Sequence, residues 1–247
     1  MKLVSVIIPT YNRFDDLIKA IHSVISQTHT NLEIIVVNDC STQKEYYNYD
    51  FNSTFGKLFS IIHLDKNSSQ LFGHASAGYT RTIGCKQAIG DYIAFLDDDD
   101  VWLPNKLENQ IKEMVKYNCD MSCTEGYIGK KGERYNQFKS YLKYNSQKHF
   151  NCLKNIYIKN GIDLLKGFPK IWDLDFVQIH NCIITSSVIV KKDLLKKINY
   201  MKNLPNGKED YDCWKRLLEY SNCVYINKPC FFYSSLLDHN KYTYSNC

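Results

Sequence analysis

The chain has few of the features that mark a secreted, membrane-spanning or nucleic-acid-binding protein. Its 247 residues include no apolar run near the roughly 20 residues of a membrane-spanning helix. The apolar run at 3–8 ends at Pro9, too soon for the core of a secretory signal. The net charge is only +5 with both signs mixed, whereas a nucleic-acid surface gathers basic residues on one face. These absences predict a soluble protein of the cytoplasm, or of a virus-infected cell's cytoplasm.

The ten cysteines lack the spacing of a zinc site. No two stand as C-x-x-C, and the closest two are Cys119 and Cys123. Zinc sites of this kind need ligand pairs near enough to share one ion. The spacing therefore predicts free, reduced thiols.

The apolar pattern alternates between short buried runs and helical periodicity. Buried runs predict strands at 3–8, 32–37, 57–64, 91–96, 182–190, 223–226 and 230–233. Helical spacing predicts helices at 14–25, 77–89, 106–116 and 210–220, with Gly90 as a C-terminal cap. Residues 129–132 predict a hairpin turn, and the polar stretch 133–150 predicts a mobile loop or insertion.

The order of these elements predicts an α/β fold. Strand, helix, strand, strand, helix, strand is the order of an open, mostly parallel twisted sheet with helices on both faces. Ligands bind such sheets beyond the carboxyl ends of the strands. The residues at those ends are polar: 10–12, Asp39 and 97–100. We therefore expect them to meet on one rim of the sheet.

Four consecutive aspartates, Asp97–Asp100, follow the strand at 91–96. Adjacent carboxylates repel one another, so they need a compensating cation or full exposure to water. Carboxylate-only ligation favours Mg²⁺ or Mn²⁺ over zinc. The alternative is a solvated acidic turn that caps the next helix.

Three segments resemble the family 2 glycosyltransferases of the GT-A fold: SVIIPTYNR at 5–13, EIIVVNDCST at 33–42 and GDYIAFLDDDD at 90–100. The resemblance is close over 1–118 and returns at 183–190 and 208–218. It implies one GT-A domain over 1–247. A Rossmann-like half, 1–118, would bind the nucleotide sugar, and 119–247 would bind the acceptor and carry a C-terminal extension.

The resemblance also implies roles for individual residues. Asp39 would bind the base, usually uracil, and Arg81 stands in a matching segment at 80–84. Asp97 would meet the ribose or the metal, and Asp99 would ligate the metal, Mn²⁺ or Mg²⁺. The implied nucleotide-binding set is Pro9, Thr10, Tyr11, Arg13, Asp39, Arg81, Asp97 and Asp98, and the implied metal set is Asp99, Asp97 and His239.

The pair Glu209-Asp210 resembles the acidic pair at a helix start of the family. An inverting transfer needs a carboxylate that takes the acceptor proton as the hydroxyl attacks. This implies Asp210 as the general base, with Glu209 orienting the acceptor. The alternative is two acids favoured at a helix start by the helix dipole.

Trp214, His180 and Ser186 are weaker candidates for the acceptor site. Trp214 could stack on an acceptor sugar, although its helical spacing fits core packing equally well. His180 and Ser186 lie at or near the strand that backs the acceptor site in relatives. Within the acidic run, Asp98 and Asp100 are weaker candidates than Asp97 and Asp99.

The implied function is inverting transfer of a hexosyl or N-acetylhexosaminyl group from a nucleotide-diphosphate sugar, with UDP-sugar as the expected donor. The expected acceptor is a glycan or lipid-linked saccharide. Nucleic acid is not an expected partner. The sugar, the oligomeric state and peripheral membrane contact stay open. The alternatives are a nucleotide-sugar-binding module without turnover, a nucleotidyltransferase and a glycoside hydrolase. A nucleotidyltransferase would want a Gly-rich basic loop after the first strand, and a hydrolase needs two carboxylates flanking a bond.

Overall fold

The computed structural model describes residues 2–130, 142–145, 147–205 and 207–235. The strands are β1 (Val4–Thr10), β2 (Leu32–Asn38), β3 (Phe59–His63), β4 (Tyr92–Phe95), β5 (Val101–Trp102), β6 (Met121–Lys130), β7 (Leu142–Lys143), β8 (Ile171–Trp172), β9 (Ile189–Lys191) and β10 (Cys223–Ser235). The helices are α1 (Phe14–Ile25), α2 (Glu45–Asn48), α3 (Phe51–Phe55), α4 (Ser68–Phe72), α5 (Ala77–Gln87), α6 (Lys106–Tyr117), α7 (Gln147–Lys159), α8 (Leu174–Ile179), α9 (Lys192–Lys197) and α10 (Glu209–Leu218). Among these described helices, none combines the length and apolar character needed to cross a bilayer.

One curled sheet runs through the described residues in the order β3-β2-β1-β4-β9-β6-β10-β5. The first four strands are parallel, as the sequence predicts. Strand β9 pairs antiparallel with both β4 and β6, and β6 is parallel to β10. The predicted α/β fold is therefore confirmed, with a parallel first half and a mixed second half.

Helices cover both faces of the sheet because the side chains of β1 alternate between two apolar clusters. Val6 and Ile8 pack with Leu17 of α1 in one cluster. Ile7 points to the opposite face, in the cluster that contains Trp214 of α10. All five side chains are completely buried. Alternate side chains of β1 therefore face opposite sides of the sheet, and the apolar face of α1 covers one of these sides.

The second half departs from the predicted elements. Helix α7 begins at Gln147, so the end of the predicted loop at 133–150 is helical. Strand β7 pairs antiparallel with β6, as a hairpin requires, and Lys131 and Gly132 of the predicted turn lie outside the described residues. The two strands predicted at 223–226 and 230–233 are one strand with register shifts. The strand predicted at 182–190 is reduced to β9.

Gly90 does not cap α5, which ends at Gln87 with Ala88 in the cap position. A Cβ atom at Gly90 would lie 2.5 Å from the Ser5 hydroxyl oxygen and 2.8 Å from the Ser5 nitrogen. Glycine is therefore required by the close approach of this loop to β1, which sequence spacing does not reveal.

The expectation of reduced thiols is wrong for Cys152, which is disulfide-bonded. Disulfide formation depends on the Cα separation in the fold, and sequence spacing carries little information about that distance. Eight other cysteines of the described residues are free: Cys40, Cys85, Cys119, Cys123, Cys182, Cys213, Cys223 and Cys230.

Lys106, at the start of α6, is a fully buried lysine. Its ammonium nitrogen has no hydrogen-bond partner among the described residues and lies 4.0 Å from the ring centre of Trp102. Burial lowers the pKa of Lys106 to about 7. The folded protein therefore holds this proton less tightly than the unfolded chain does.

Replacing Lys106 with methionine should stabilise the protein. The unfolded chain keeps this proton up to about pH 10 and the folded chain loses it near pH 7, so the lysine destabilises most at and below pH 7. We expect Lys106→Met to raise the free energy of unfolding by on the order of 2 kcal/mol at pH 7. The advantage should shrink as the pH rises towards 10. Urea denaturation measures this gain in the free energy of unfolding, with Lys112→Met on the same helix as the control. An equal effect of both substitutions would contradict a destabilising role for buried Lys106.

Candidate active site

The carboxyl ends of three parallel strands meet at one rim. Thr10 of β1 lies opposite Asn38 of β2, and Ile7 lies opposite Phe95 of β4. This register places the residues that follow each strand side by side. The predicted convergence of polar residues on one rim is therefore present in the fold.

A cavity of about 400 Å³ opens at this rim and is the first of two that build the site. Its lining includes every residue of the predicted nucleotide-binding set, together with Asp99. The further lining residues, which sequence analysis did not identify, are Asn67, Ser69, Ala75, Ser76, Ala77 and Thr80.

Asp39 is buried in the wall of the first cavity and holds the start of α4. One carboxylate oxygen accepts the Ser68 N–H at 2.7 Å, and the other accepts the Ser68 hydroxyl at 2.6 Å. Asn67 donates to the second oxygen at 3.2 Å. Burial raises the pKa of Asp39, and the hydrogen bonds from Ser68 oppose that shift. Each carboxylate oxygen has two lone pairs, so base binding remains compatible with these contacts.

Arg13 neutralises part of the acidic run. Its Nη1 atom donates to Asp98 at 3.0 Å and to Asp99 at 2.8 Å. Asp98 is almost fully buried, and burial raises its pKa to about 6 although the charge of Arg13 opposes the shift. Asp99 lies in the same cavity wall with a partly exposed side chain.

Asp97 and Asp100 have different surroundings. Asp97 pairs with Arg81 at 2.5 Å, and its N–H donates to the hydroxyl of Ser186 at 3.0 Å. Asp100 is fully buried and accepts the Ser234 N–H at 2.9 Å. Burial, followed by the charges of its neighbours, raises the pKa of Asp100 well above its usual range. Asp100 is therefore a structural residue, whereas Ser186 fixes the loop that carries Asp97.

The chemistry of the acidic run suits Mg²⁺ or Mn²⁺. Asp97 and Asp99 both reach the first cavity, and hard divalent cations prefer carboxylate oxygens. The described residues contain no group of three or more side chains arranged to hold a metal. Mg²⁺ bound with a nucleotide commonly takes one or two carboxylates and completes its shell with phosphate oxygens and water. Two carboxylates beside a nucleotide-sized cavity fit that arrangement.

A second cavity of about 250 Å³ adjoins the first. Arg81 and Asp97 line both cavities. The remaining lining residues of the second cavity are Tyr144, Asn181, Ile183, Ile184, Thr185, Gly207, Glu209, Asp210 and Tyr233. The predicted catalytic pair therefore lines the second cavity and not the first.

The predicted catalytic pair, Glu209 and Asp210, begins α10, which packs tightly against α5. A Cβ atom at Gly78 of α5 would lie 2.7 Å from Cγ of Glu209, so glycine permits this approach. Asp210 accepts the Thr185 hydroxyl at 3.1 Å and the Tyr211 N–H at 2.5 Å. Burial raises the pKa of Asp210, and the charge of Arg81 opposes that shift. A raised pKa makes a carboxylate a stronger base.

Arg81 is a buried guanidinium between the two cavities. Besides its pair with Asp97, it lies 3.9 Å from Glu209. Its pKa is raised: burial opposes the charged form, but the charges of Asp97, Asp210 and Glu209 outweigh it. Arg81 therefore remains a fixed cation at the point where the cavities join.

The weaker candidates have separate outcomes. Trp214 is fully buried with its ring 5.8 Å from that of Phe95, so core packing, not stacking on an acceptor, explains it. His180 is partly buried beside His149, and the described lining of neither cavity includes it. His239 lies outside the described residues.

Several residues that sequence analysis missed carry a local signal. Asn67 caps α4 by accepting the Ser69 N–H, and Ser76 caps α5 by accepting the Tyr79 N–H. Asn and Ser before short helical stretches are typical capping residues. Tyr46 carries no such signal, although its hydroxyl contacts Thr10 at 2.6 Å and the Arg13 N–H at 3.0 Å.

The curled sheet with its helices matches the GT-A fold of solved structures. In a comparison with solved structures, S. aureus TarS (residues 1–349) superposes with a TM-score of 0.68 at 20% identity, covering 95% of this chain and 60% of TarS. The same TarS fragment in complex with UDP-GlcNAc superposes with a TM-score of 0.66 at 19% identity, covering 99% of this chain and 62% of that one. At these identities the likeness establishes the fold.

Residues 5–189 match the model of glycosyl transferase family 2, and the chain belongs to this family. An uncharacterized glycosyltransferase of Rickettsia typhi is 31% identical over 237 residues, covering 96% of this chain and 64% of the relative. An Escherichia coli β-1,3-glucosyltransferase, named for UDP-Glc and α-D-GlcNAc-diphosphoundecaprenol, is 37% identical over 117 residues, covering 47% of this chain and 42% of the relative. The chain thus spans less than two thirds of the length of either curated relative.

Proposed function

We propose that this glycosyltransferase is an inverting enzyme that moves a sugar from a UDP-sugar to an acceptor hydroxyl. The observation that carries the proposal is the meeting of the two cavities at Arg81 and Asp97, with Asp210 in the second cavity. A donor in the first cavity would present its sugar at this junction. The acceptor would approach from the side of Asp210.

The donor side supplies polar contacts along the length of a nucleotide. Asp39 would bind the base, and Tyr11 would contribute an exposed ring at the cavity mouth. Arg13, held by Asp98 and Asp99, would lie near the diphosphate. UDP as the nucleotide is supported by the TarS complexes with UDP and UDP-GlcNAc and by the UDP-Glc in the name of the E. coli relative. The proposed transferred group is a hexosyl or N-acetylhexosaminyl group.

Asp97 and Asp99 would hold Mn²⁺ or Mg²⁺. The ion, when bound, would stabilise the negative charge that develops on the diphosphate leaving group. His239 stays a prediction for a further ligand. Arg81 would contribute fixed positive charge at the same junction and cannot lose its proton near neutral pH.

The acceptor side supplies the base. Asp210 would take the proton from the acceptor hydroxyl as that oxygen attacks the anomeric carbon from the face opposite the diphosphate. One displacement of this kind inverts the configuration. Thr185 and the Tyr211 N–H orient the carboxylate, and Glu209 would orient the acceptor.

The acceptor is proposed to be a glycan or a lipid-linked saccharide. The name of the E. coli relative supports the lipid-linked class. We also propose the assignment of 1–118 to the donor and 119–247 to the acceptor, within a single domain. A cytoplasmic location remains a prediction.

Incubation with UDP-Glc or UDP-GlcNAc tests the proposal. We expect UDP release that depends on Mn²⁺ or Mg²⁺, rises with saccharide acceptors and stops with EDTA. Pyrophosphate release from UTP and a sugar phosphate would instead identify a nucleotidyltransferase. Binding of UDP-sugars without release in the presence of acceptors would identify a binding module. Sugar release from a glycoside without nucleotide would identify a hydrolase.

A further inference from the structure

A short segment that follows β7 crosses one side of the second cavity. Lys143 pairs with Tyr127 of β6, and the Tyr144 N–H donates to the Gly126 carbonyl at 2.8 Å. The side chain of Tyr144 is partly buried and lines the cavity that contains Asp210. We call residues 144–145 the acceptor strap.

Glu125 of β6 holds the next residue of the acceptor strap. Its carboxylate is completely buried. One oxygen accepts the Asn145 N–H at 3.0 Å and the Gly126 N–H at 3.1 Å. The other accepts the Asn145 side-chain amide at 2.7 Å and the Tyr225 hydroxyl at 2.9 Å. Four donors thus satisfy one buried carboxylate, and two of them belong to Asn145.

In the structure all four hydrogen bonds run towards position 125, which favours a carboxylate there. Burial, followed by the charge of Glu125, raises the pKa of Tyr225, so its hydroxyl stays protonated and donates. The side-chain amide nitrogen of Asn145 and both backbone N–H groups are donors as well. A glutamine at position 125 loses the charge, and its NH₂ group could bond Asn145 and Tyr225 only if the Asn145 amide flips and the Tyr225 hydroxyl turns to accept. That change should loosen the acceptor strap without removing much volume.

We propose that Glu125 is a positioning residue for the acceptor, and that the acceptor strap holds Tyr144 as a platform for the acceptor saccharide. Tyr144 supplies an aromatic ring, against which the C–H face of a pyranose can pack. Asn181 and Thr185, in the same cavity, supply polar groups for sugar hydroxyls. This inference rests on the proposed transfer reaction. It assigns the acceptor specificity of that reaction to a segment that the sequence predicts as a mobile loop.

The fixed position of the acceptor strap has an energetic consequence. A mobile segment loses conformational freedom when a ligand orders it, and that loss weakens binding. The contacts of Glu125 order Tyr144 before the acceptor arrives. Loss of these contacts should therefore weaken acceptor binding and leave the donor cavity unchanged.

Steady-state kinetics test the role of Tyr144. The donors are UDP-Glc and UDP-GlcNAc, and the acceptors are p-nitrophenyl glycosides of glucose and N-acetylglucosamine. We expect Tyr144→Ala to raise the acceptor KM by about tenfold or more, with the Kd for UDP unchanged. Tyr144→Phe keeps the ring and should stay within about threefold of the parent. Tyr220→Ala, an exposed tyrosine outside both cavities, is the control. If the unmodified protein transfers sugar but Tyr144→Ala has an unchanged acceptor KM, the platform role of Tyr144 is wrong. The proposed function would not be affected by that result.

Hydrogen–deuterium exchange tests the role of Glu125 independently of turnover. We expect Glu125→Gln to speed exchange at the Tyr144 and Asn145 amides, with the β1 amides as an internal reference for global stability. If Glu125→Gln does not fold, the same exchange measurement is made on Asn145→Ala, which removes one hydrogen-bond donor to Glu125. Unchanged exchange at Tyr144 in the folded variant overturns the positioning role. If the unmodified protein releases no UDP with any of these donors and acceptors, both the proposed function and the platform role of Tyr144 are refuted. Hydrogen–deuterium exchange would still show whether Glu125 holds the acceptor strap.

Discussion

Asp210→Asn should lower kcat by about 10²- to 10⁴-fold, the usual contribution of a general base. Asparagine has nearly the same shape, its amide oxygen can still accept the Tyr211 N–H, and its NH₂ group can donate to the Thr185 hydroxyl. Its amide cannot take the proton of an acceptor hydroxyl at neutral pH. The Kd for UDP should stay unchanged because Asp210 lies in the second cavity.

The pH profile supplies a second signature of the same base. Asp210 acts in its deprotonated form, so kcat/KM should be high above its pKa and fall below it. Burial raises that pKa, so the acid limb should lie above the usual value of 3.8. Asp212→Asn is the control, since Asp212 lies on the same helix but pairs with Arg216. An equal loss in both variants, or full activity in Asp210→Asn, would assign the base elsewhere.

Arg81→Met should lower both activity and stability. The substitution leaves Asp97 and Glu209 without their buried cation, and breaking a buried ion pair costs about 3–5 kcal/mol. Loss of a fixed positive charge near the leaving group should lower kcat/KM by about 10²- to 10³-fold. Thermal unfolding and transfer assays below the Tm measure the two effects separately.

Arg81→Lys separates charge from geometry. Lysine keeps the charge but lacks the planar fork that reaches Asp97 and Glu209 together. We expect most of the stability to return and most of the activity to remain lost. Recovery of full activity in the lysine variant would show that the positive charge suffices and that the planar fork is not needed.

The donor side of the site could be predicted because its residues follow strands in the sequence. Parallel pairing is regular, so residues after β1, β2 and β4 must come together once the strands are identified. Asp39, Asp97 and Asp99 were therefore visible as one group. The buried partners of Asp39, Ser68 and Asn67, were not, because contacts between distant loops depend on tertiary packing.

In the wall of the second cavity, the sequence singled out only Arg81, Asp97, Glu209 and Asp210. Other parts of that wall come from Tyr144 and from the irregular stretch before β9, which have no periodic pattern. Residues 133–150 appear polar and weakly periodic, yet Asn145 is fixed by the buried Glu125. A long-range contact to one buried carboxylate leaves no local signal in the sequence.

Two apparent sequence signals had other physical causes. Gly90 has the position of a helix cap but is required by its close approach to Ser5. Trp214 lies near the catalytic pair in sequence, but the helical period turns its ring into the core beside Phe95. Both cases show that proximity in sequence does not fix the direction of a side chain.

Calorimetric titration of UDP with and without Mn²⁺ tests the central claim, that the acidic run holds a cation against the diphosphate of the donor. The parent should bind UDP at least about tenfold more tightly with Mn²⁺, since phosphate oxygens complete the metal shell. Asp99→Asn should remove most of this gain, whereas Asp15→Asn, an exposed carboxylate on α1, should keep it. An undiminished Mn²⁺ effect on UDP affinity in Asp99→Asn would contradict the account.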